Sequence, residues 1–289
     1  MGTGIESLSN VQAAPFMTRT VGALCNLLAG FDPGGDRWTL MRLPDALARR
    51  RSTSSRIFQL RVAPEGRERG DFRPGQFAFV SFPGRGILAS PRALAIASAP
   101  SEGRFLDFQL KDEDGWTFAA KRLEAEPDGG RISARVILPF GRFSYPASPG
   151  AGRFVFLAAG MGVVPFLSML RFMADADAER KVLLIWGGRT HEDMPGKAEL
   201  EEARERLRGF GFVPALTHDP LWTGERGRID GEKLRRIVPG FFGSRFPDFE
   251  WNTASYWICG PGTFEKDLAS VLRSFGARKA AIHSSAFSL

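Results

Sequence analysis

The chain is poor in cysteine, with only Cys25 and Cys259 among its 289 residues. An iron–sulfur cluster takes about four thiolates, so two cysteines cannot hold one. Two cysteines so far apart in sequence also do not form the disulfide framework of a small secreted domain. We therefore expect a cytoplasmic protein, in a reducing compartment, that carries no iron–sulfur cluster.

Histidine and long apolar runs are scarce as well. The three histidines, His191, His218 and His283, are not spaced as metal ligands are. No apolar run approaches the ~20 residues of a membrane-spanning helix, and no segment interleaves basic and aromatic side chains as nucleic-acid-binding proteins do. The sequence thus disfavours a metal site, a membrane span and a nucleic-acid partner.

Positive charge is in excess, with 39 Lys and Arg against 32 Asp and Glu and a formal net charge of +7. Such a balance favours an anionic partner such as a nucleotide, an acidic protein or a membrane surface. The same excess also serves solubility alone, and the composition does not separate these interpretations.

Residues 1–50 form an N-terminal extension whose role the sequence leaves open. Its apolar run at 21–30 begins deep in the chain for a signal peptide, and the basic region before it is thin. One interpretation is an extension that packs on the main body. The other is a peripheral membrane contact helped by Arg49, Arg50 and Arg51.

The pattern from residue 54 to 145 is typical of short β-strands. The strand-like segments lie at 57–62, 77–82, 105–110 and 131–138. A single helix-like segment lies between them, at 117–126. Many short strands with one helix predict a small antiparallel β-barrel.

Strands and helices alternate after a linker rich in proline and glycine at 146–152. The strand-like segments lie at 154–159, 182–186, 212–217 and 256–259, each followed by a helix-like segment. This alternation predicts an α/β doubly wound parallel sheet with its ligand-binding edge at the strand ends. We therefore divide the chain into the extension 1–50, a barrel domain 51–148 and an α/β domain 149–289.

A glycine turn, Gly160-Met161-Gly162-Val163-Val164-Pro165, follows the first strand of the predicted α/β domain. A strand, a glycine turn and a helix start together form the usual cradle for a nucleotide pyrophosphate. The common dinucleotide fingerprint ends in Gly or Ala, whereas this turn ends in Pro165, which suits the first turn of a helix. Taken alone the turn is a weak motif, since such turns also occur without a ligand.

The order of a barrel, this G-x-G-x-x-P turn and Cys259-Gly260-Pro261 resembles the ferredoxin–NADP reductase superfamily over residues 54–289. Further segments resemble motifs of that family: 72–77 its F-x-P-G-Q-F/Y strand opening, 96–100 the end of its flavin motif, Gly115-Trp116-Thr117 its turn on the flavin phosphates, 139–143 its G-P-x-G-x-F turn, 187–200 its G-x-R…D…E-L segment, 219–229 its D-x-x-W-x-G segment, and 282–287 its C-terminal strand with a closing aromatic residue.

The resemblance implies a flavin-dependent oxidoreductase. A hydride would pass from NAD(P)H to FAD, with the nicotinamide stacked on the flavin between the two domains. Single electrons would then leave for a separate acceptor. The candidates are a ferredoxin, an oxygenase component, a ferric chelate or a cytochrome. Among these, an acidic ferredoxin-like protein would suit the net charge.

The resemblance also implies roles for individual residues. The flavin would be bound by Arg92, Leu94, Ala95, Ile96, Gly115, Trp116 and Thr117. The nicotinamide dinucleotide would be bound by Gly160, Gly162, Val163, Pro165, Arg189, Thr217, His218, Arg226, Arg228, Gly260 and Pro261. Cys259, Ser285 and Phe287 would stand beside the hydride path as catalytic residues.

Three positions depart from the family pattern. Leu94 stands where an aromatic ring normally stacks on the flavin, Ala95 where a hydroxyl normally bonds flavin N5, and Ser285 where many members carry a glutamate. These departures leave two alternatives open: a non-catalytic or regulatory electron-transfer subunit with a degenerate flavin site, and a reductase that uses free flavin as its substrate.

The nucleotide preference and three residue roles also stay open. Thr217 and His218 stand where NADP-preferring members often carry Ser-Arg, so NADH and NADPH remain balanced. Each of three residues has an ordinary structural alternative: a buried thiol for Cys259, a solvated charge for Arg189 and a helix cap for Thr117.

Overall fold

The computed structural model describes residues 37–41, 56–65, 71–124, 126, 132–145, 152–245 and 248–286. The apolar run at 21–30, the three arginines at 49–51 and Phe287 therefore lie outside the described residues. The described part contains two six-stranded sheets, one in each half of the chain. Within these ranges no helix is both long and apolar enough to cross a bilayer.

The first sheet is antiparallel, in the strand order β4-β3-β6-β1-β2-β5. Its strands are β1 Arg37–Met41, β2 Ile57–Pro64, β3 Phe77–Ser81, β4 Arg92–Ala95, β5 Leu106–Lys111 and β6 Ser133–Phe140, with the helix α1 Gly115–Glu124 between β5 and β6. The sheet curls until its edges meet, since the amide of Ala97 donates to the carbonyl of Asp107 at 2.8 Å. Strands and α1 enclose one apolar core.

Strand β1 pairs with both β2 and β6 and so lies inside the first sheet. These five residues lie within the predicted extension 1–50, so the sheet begins before the predicted boundary at residue 51. A five-residue strand followed closely by Pro44 is too short to show a clear alternation. Its pairing partners lie far along the chain, which is why only the structure identifies it.

The second sheet is parallel, in the order β10-β9-β8-β7-β11-β12. Its strands are β7 Arg153–Ala159, β8 Val182–Gly188, β9 Phe210–Leu216, β10 Glu225–Arg226, β11 Ala254–Gly260 and β12 Ile282–Ala286. Its helices are α2 Val164–Ala176, α3 Lys197–Arg206, α4 Gly231–Phe241 and α5 Gly262–Ser274. Separate apolar cores cover its two faces, as alternate side chains of β7 show: Phe156 lies in one core and Val155 in the other.

The strand order of the second sheet reverses between β7 and β11. From β7 the chain proceeds outwards through β8, β9 and β10, and then returns to place β11 on the other side of β7. In open α/β sheets, ligands bind in the crevice at the carboxyl ends of the strands where this reversal occurs. Gly160 follows β7 and Pro261 follows β11, so both lie at this point.

Candidate functional site

Two clefts meet where β7 and β11 end. The barrel cleft has a volume of about 470 Å³ and lies between β4, β5 and α1 on one side and the turns after β7 and β11 on the other. The strand-end cleft, of about 420 Å³, lies along the ends of β8 and β9 and the start of α5. Five of the lining residues are common to both clefts: Lys111, Ala159, Gly160, Asp193 and Pro261.

The glycine turn between β7 and α2 is held tightly at this junction. Gly160 has a φ of +53°, in the left-handed region that glycine tolerates best. A Cβ on Gly162 would lie 2.2 Å from the carbonyl oxygen of Cys259, so the turn packs directly on the end of β11. The indole nitrogen of Trp186 donates to the carbonyl of Gly160 at 2.9 Å. The turn is therefore fixed from β8 on one side and from β11 on the other.

The barrel cleft includes part of the predicted flavin set. Arg92, Leu94, Ala95 and Thr117 line it. Ile96 does not, because its side chain is fully enclosed in the barrel core. Leu94 and Ala95 offer this cleft only apolar groups.

The start of α1, at one end of the barrel cleft, is capped by a carboxylate of the chain itself. Asp114 Oδ1 accepts from the amide of Thr117 at 2.9 Å, and Asp114 Oδ2 lies 2.6 Å from Arg92 Nη2. Partial burial alone would raise the pKa of Asp114, but the hydrogen bonds from Arg92 and Thr117 outweigh it and hold the pKa below its usual value. Trp116 of the same turn donates to the carbonyl of Ser90 at 3.2 Å and lies under the Arg92 guanidinium.

The strand-end cleft includes Arg189, Thr217 and Arg228 of the predicted nucleotide set. The pairing of β8 and β9 continues past the sheet, since the amide of Thr217 donates to Gly188 at 3.1 Å and that of His218 to Arg189 at 2.8 Å. His218 and Arg226 do not line the cleft. Arg226 instead donates to the carbonyl of Pro220 at 3.0 Å.

Cys259 lies beneath the site and does not line either cleft as the structure describes them. Its side chain is fully buried in the apolar core with Trp257, and burial, together with the nearby Glu265, raises the pKa of the thiol well above its usual value. This differs from the predicted nicotinamide-facing thiol, and the alternation of side chains along β11 is the reason. Ser285 stands opposite Cys259 on β12.

Glu265 is not among the site residues predicted from the sequence. It is only 7% exposed, and its Oε1 has no hydrogen-bond partner among the described residues. Burial raises the pKa of Glu265 to about 8, against the opposing effect of a hydrogen bond from the Gly260 amide. It shares the buried face of α5 with Leu268 and Leu272. A carboxylate at this apolar spacing is the sequence signal that would have identified it.

A buried polar network joins the two halves of the molecule beside the barrel cleft. Arg171 of α2 donates to the carbonyl of Ala97 at 2.8 Å and to Glu199 Oε1 at 3.2 Å. The same Glu199 oxygen accepts from Gln109 Nε2 at 2.8 Å, and Gln109 lines the barrel cleft. The network is not predicted from the sequence either, although a lone arginine within the apolar face of α2 is a usable signal.

Comparison with known proteins agrees with this architecture. Residues 156–270 match the family model described as the oxidoreductase NAD-binding domain. The reductase component of propane 2-monooxygenase from Rhodococcus jostii (strain RHA1) is 30% identical over 227 residues, 77% of this chain and 57% of that protein. The reductase component DmpP of phenol 2-monooxygenase from Pseudomonas sp. (strain CF600) is 26% identical over 196 residues, 66% of this chain and 50% of that protein.

Solved structures share the fold over most of the chain. The Amycolatopsis cytochrome P450 reductase GcoB superposes with a TM-score of 0.67 and 22% identity, over 87% of this chain and 69% of that one. The cytochrome b5 reductase domain of Ulva prolifera nitrate reductase has a TM-score of 0.68 and 17% identity, over 88% of this chain and 99% of that one.

Fold and site together define a two-domain protein in which an antiparallel barrel and a doubly wound parallel sheet each contribute a cleft to one junction. This confirms the predicted fold class. The chain belongs to the ferredoxin–NADP reductase superfamily. It spans 57% and 58% of the length of the first two curated relatives that it matches.

Proposed function

We propose that the chain is a flavin-dependent NAD(P)H oxidoreductase. A hydride moves from NAD(P)H to a flavin, and single electrons then pass to a separate acceptor. The observation that carries this proposal is the junction of the two clefts, which share Gly160 and Pro261. A hydride donor and its acceptor react only when their reacting atoms are in contact, and adjoining clefts allow that contact.

The residues of the barrel cleft fit a flavin ring better than they fit its phosphates. Leu94 and Ala95 give an apolar wall, and Gly160, Gly162 and Gly260 line the other side of the cleft without side chains. Arg92 and Thr117 would stand nearest the phosphates, but both are already bonded to Asp114. We take the flavin to be FAD, as the superfamily implies.

The residues of the strand-end cleft would hold the nicotinamide dinucleotide. Arg189 and Arg228 supply positive charge for phosphate groups, and Gly187 and Gly188 line the same cleft. Comparing the reaction rates with NADH and NADPH identifies which nucleotide is preferred.

The contribution of the protein itself is to orient the ligands and to exclude other groups. At Gly160 the turn leaves open a space at the junction that the Cβ of another residue would enter. A flavin bound there would supply the acceptance of a hydride and the release of single electrons. Ala95 offers no hydroxyl towards the reacting edge, and one missing transition-state hydrogen bond can cost ~10²-fold in rate. We therefore expect modest turnover.

An oxygenase component, or an electron carrier that serves one, is our proposed acceptor. The similar proteins from Rhodococcus jostii and Pseudomonas are named as reductase components of monooxygenases. The net charge of +7 suits an acidic partner, because complementary charge speeds encounter.

The test is anaerobic reduction of added FAD by the purified chain. The flavin absorption band should bleach when NADH or NADPH is added, at a rate that rises with protein concentration. Mixing without protein, and protein unfolded by heat, are the controls. Bleaching no faster than in those controls, with either nucleotide, would contradict the proposed function.

A further inference from the structure

Thr117, in the turn that opens α1, is hydrogen-bonded to neighbouring residues of the chain. In the superfamily pattern this turn, Gly115-Trp116-Thr117, faces the flavin phosphates. Here the Thr117 amide donates to Asp114 Oδ1 at 2.9 Å. The Thr117 hydroxyl accepts from the amides of Glu113 at 3.1 Å and Asp114 at 3.0 Å. The amide and the hydroxyl of Thr117, two of the groups that would bind a phosphate, therefore already have partners.

The cations around this turn are likewise matched by carboxylates. Arg92, which the resemblance assigns to the flavin phosphate, lies 2.6 Å from Asp114. Lys111 lies 2.9 Å from Glu113, and Lys121 lies 3.4 Å from Asp112. Asp114 and Glu113 thus neutralise Arg92 and Lys111, which line the barrel cleft, and Asp112 pairs with Lys121 of α1.

An entering phosphate would have to displace Asp114 or lie beside it. A helix start favours one anion through its free amides and dipole, and Asp114 already fills that role. A phosphate next to this carboxylate would be repelled as a like charge, since its usual partner Arg92 is shared with Asp114. The apolar wall of Leu94 and Ala95 is unaffected by this competition. The affinity of the cleft should therefore come from the flavin ring.

We propose that Asp114 competes with the flavin phosphates for Arg92 and the start of α1, so that the protein exchanges its flavin with solution instead of retaining it. This inference rests on the proposed function, which makes a flavin the ligand of the barrel cleft. It assigns the chain to reductases that use flavin as a diffusing substrate, in which the released reduced flavin carries the electrons to the separate acceptor.

The variant Asp114→Asn tests the inference, because asparagine caps a helix about as well as aspartate and removes only the charge. Dissociation constants are measured at low salt for FAD, FMN and riboflavin by quenching of flavin fluorescence. We expect the variant to bind FAD and FMN about fivefold more tightly than the parent chain. Riboflavin, which has no phosphate, should bind equally to both.

Glu126→Gln is the matched control, since Glu126 forms an exposed pair with Arg85 at 3.3 Å away from this turn. It should leave all three constants unchanged. Arg92→Met adds a second readout: it should weaken FAD binding clearly in the Asp114→Asn background and little in the parent chain. That pattern would show that Asp114 occupies Arg92.

Equal or weaker FAD binding by Asp114→Asn, with riboflavin still bound, would overturn the inference and leave the proposed function intact. A parallel change for riboflavin would also overturn it, because the effect would then be structural. Failure of both proteins to bind any flavin would contradict the proposed function itself.

Discussion

In the strand-end cleft, Arg189 and Arg228 line the wall, and neither forms an ion pair with a described residue. In the barrel cleft, Arg92 is bound to Asp114 and Lys111 to Glu113. The two clefts share a junction but present different charge to a ligand. The first offers unpaired positive charge, which would suit the anionic dinucleotide proposed above, whereas the paired charges of the second would suit an uncharged planar ring. One domain can thus leave its positive charges unpaired while the other domain neutralises its own.

The largest expected effect comes from breaking the buried polar network that joins the two domains. Arg171→Met leaves Glu199 buried without its guanidinium, and breaking a buried pair typically costs about 3–5 kcal/mol. We expect that loss in the free energy of unfolding, measured by urea titration. We also expect slower hydride transfer with little change in nucleotide affinity.

The double variant Arg171→Met with Glu199→Gln is the control for the network. Removing both charges should recover part of the stability, because no uncompensated carboxylate remains buried. A double variant no more stable than Arg171→Met would argue against this account.

The next effect tests the glycine turn that the clefts share. Gly162→Ala places a Cβ against the Cys259 carbonyl, which should cost about 3 kcal/mol. Gly160→Ala is the comparison: it meets no atom within 4 Å and carries only the left-handed backbone cost of about 1–2 kcal/mol. Thermal unfolding of both should rank Gly162→Ala as the less stable, and the reverse order would contradict the packing described here.

A pH-dependent effect between pH 4.5 and 8 should arise from Glu265 in the α/β domain. The pKa of Glu265 is raised to about 8 in the folded chain, against an ordinary 4.5. Between these pH values the folded state holds a proton that the unfolded state releases, so the stability of the parent chain should fall as pH rises from 4.5 to 8. Glu265→Gln should remove this fall, with a gain of about 2 kcal/mol at high pH. Urea titrations across this range measure it, and parallel pH profiles for the two proteins would refute it.

The positive charge of the strand-end cleft gives a smaller effect, confined to nucleotide binding. Arg228→Met should raise the dissociation constant for the nucleotide about tenfold, the loss of one charge-assisted contact. Arg226→Met is the matched control, because Arg226 donates to Pro220 outside the cleft. Calorimetry with NADH and NADPH gives both constants, and equal losses for the two variants would remove the proposed role of Arg228.

Local patterns predicted the fold, whereas the electrostatics of the site depend on contacts between distant residues. Alternation along single strands and the glycine turn at Gly160 carry the architecture, and they are visible in the sequence. The bond between Arg92 and Asp114 joins residues 22 positions apart, so no short window contains it. The burial of the Cys259 side chain in the core follows from the register of β11 between β7 and β12. These features exist only once the two sheets have formed.

The smallest effect tests whether the barrel cleft can be brought closer to the usual pattern of its family. Ala95→Ser restores a hydroxyl at a half-buried position that already lines the cleft. We expect anaerobic hydride transfer to accelerate about fivefold, short of the ~10² of an ideally placed donor. Ala93→Ser, two residues before Ala95 on β4 and also lining the cleft, should leave the rate unchanged. If both serines accelerate the reaction equally, the polarity of the cleft limits the rate, and not a specific hydrogen bond. The difference between the two clefts would then be one of solvation.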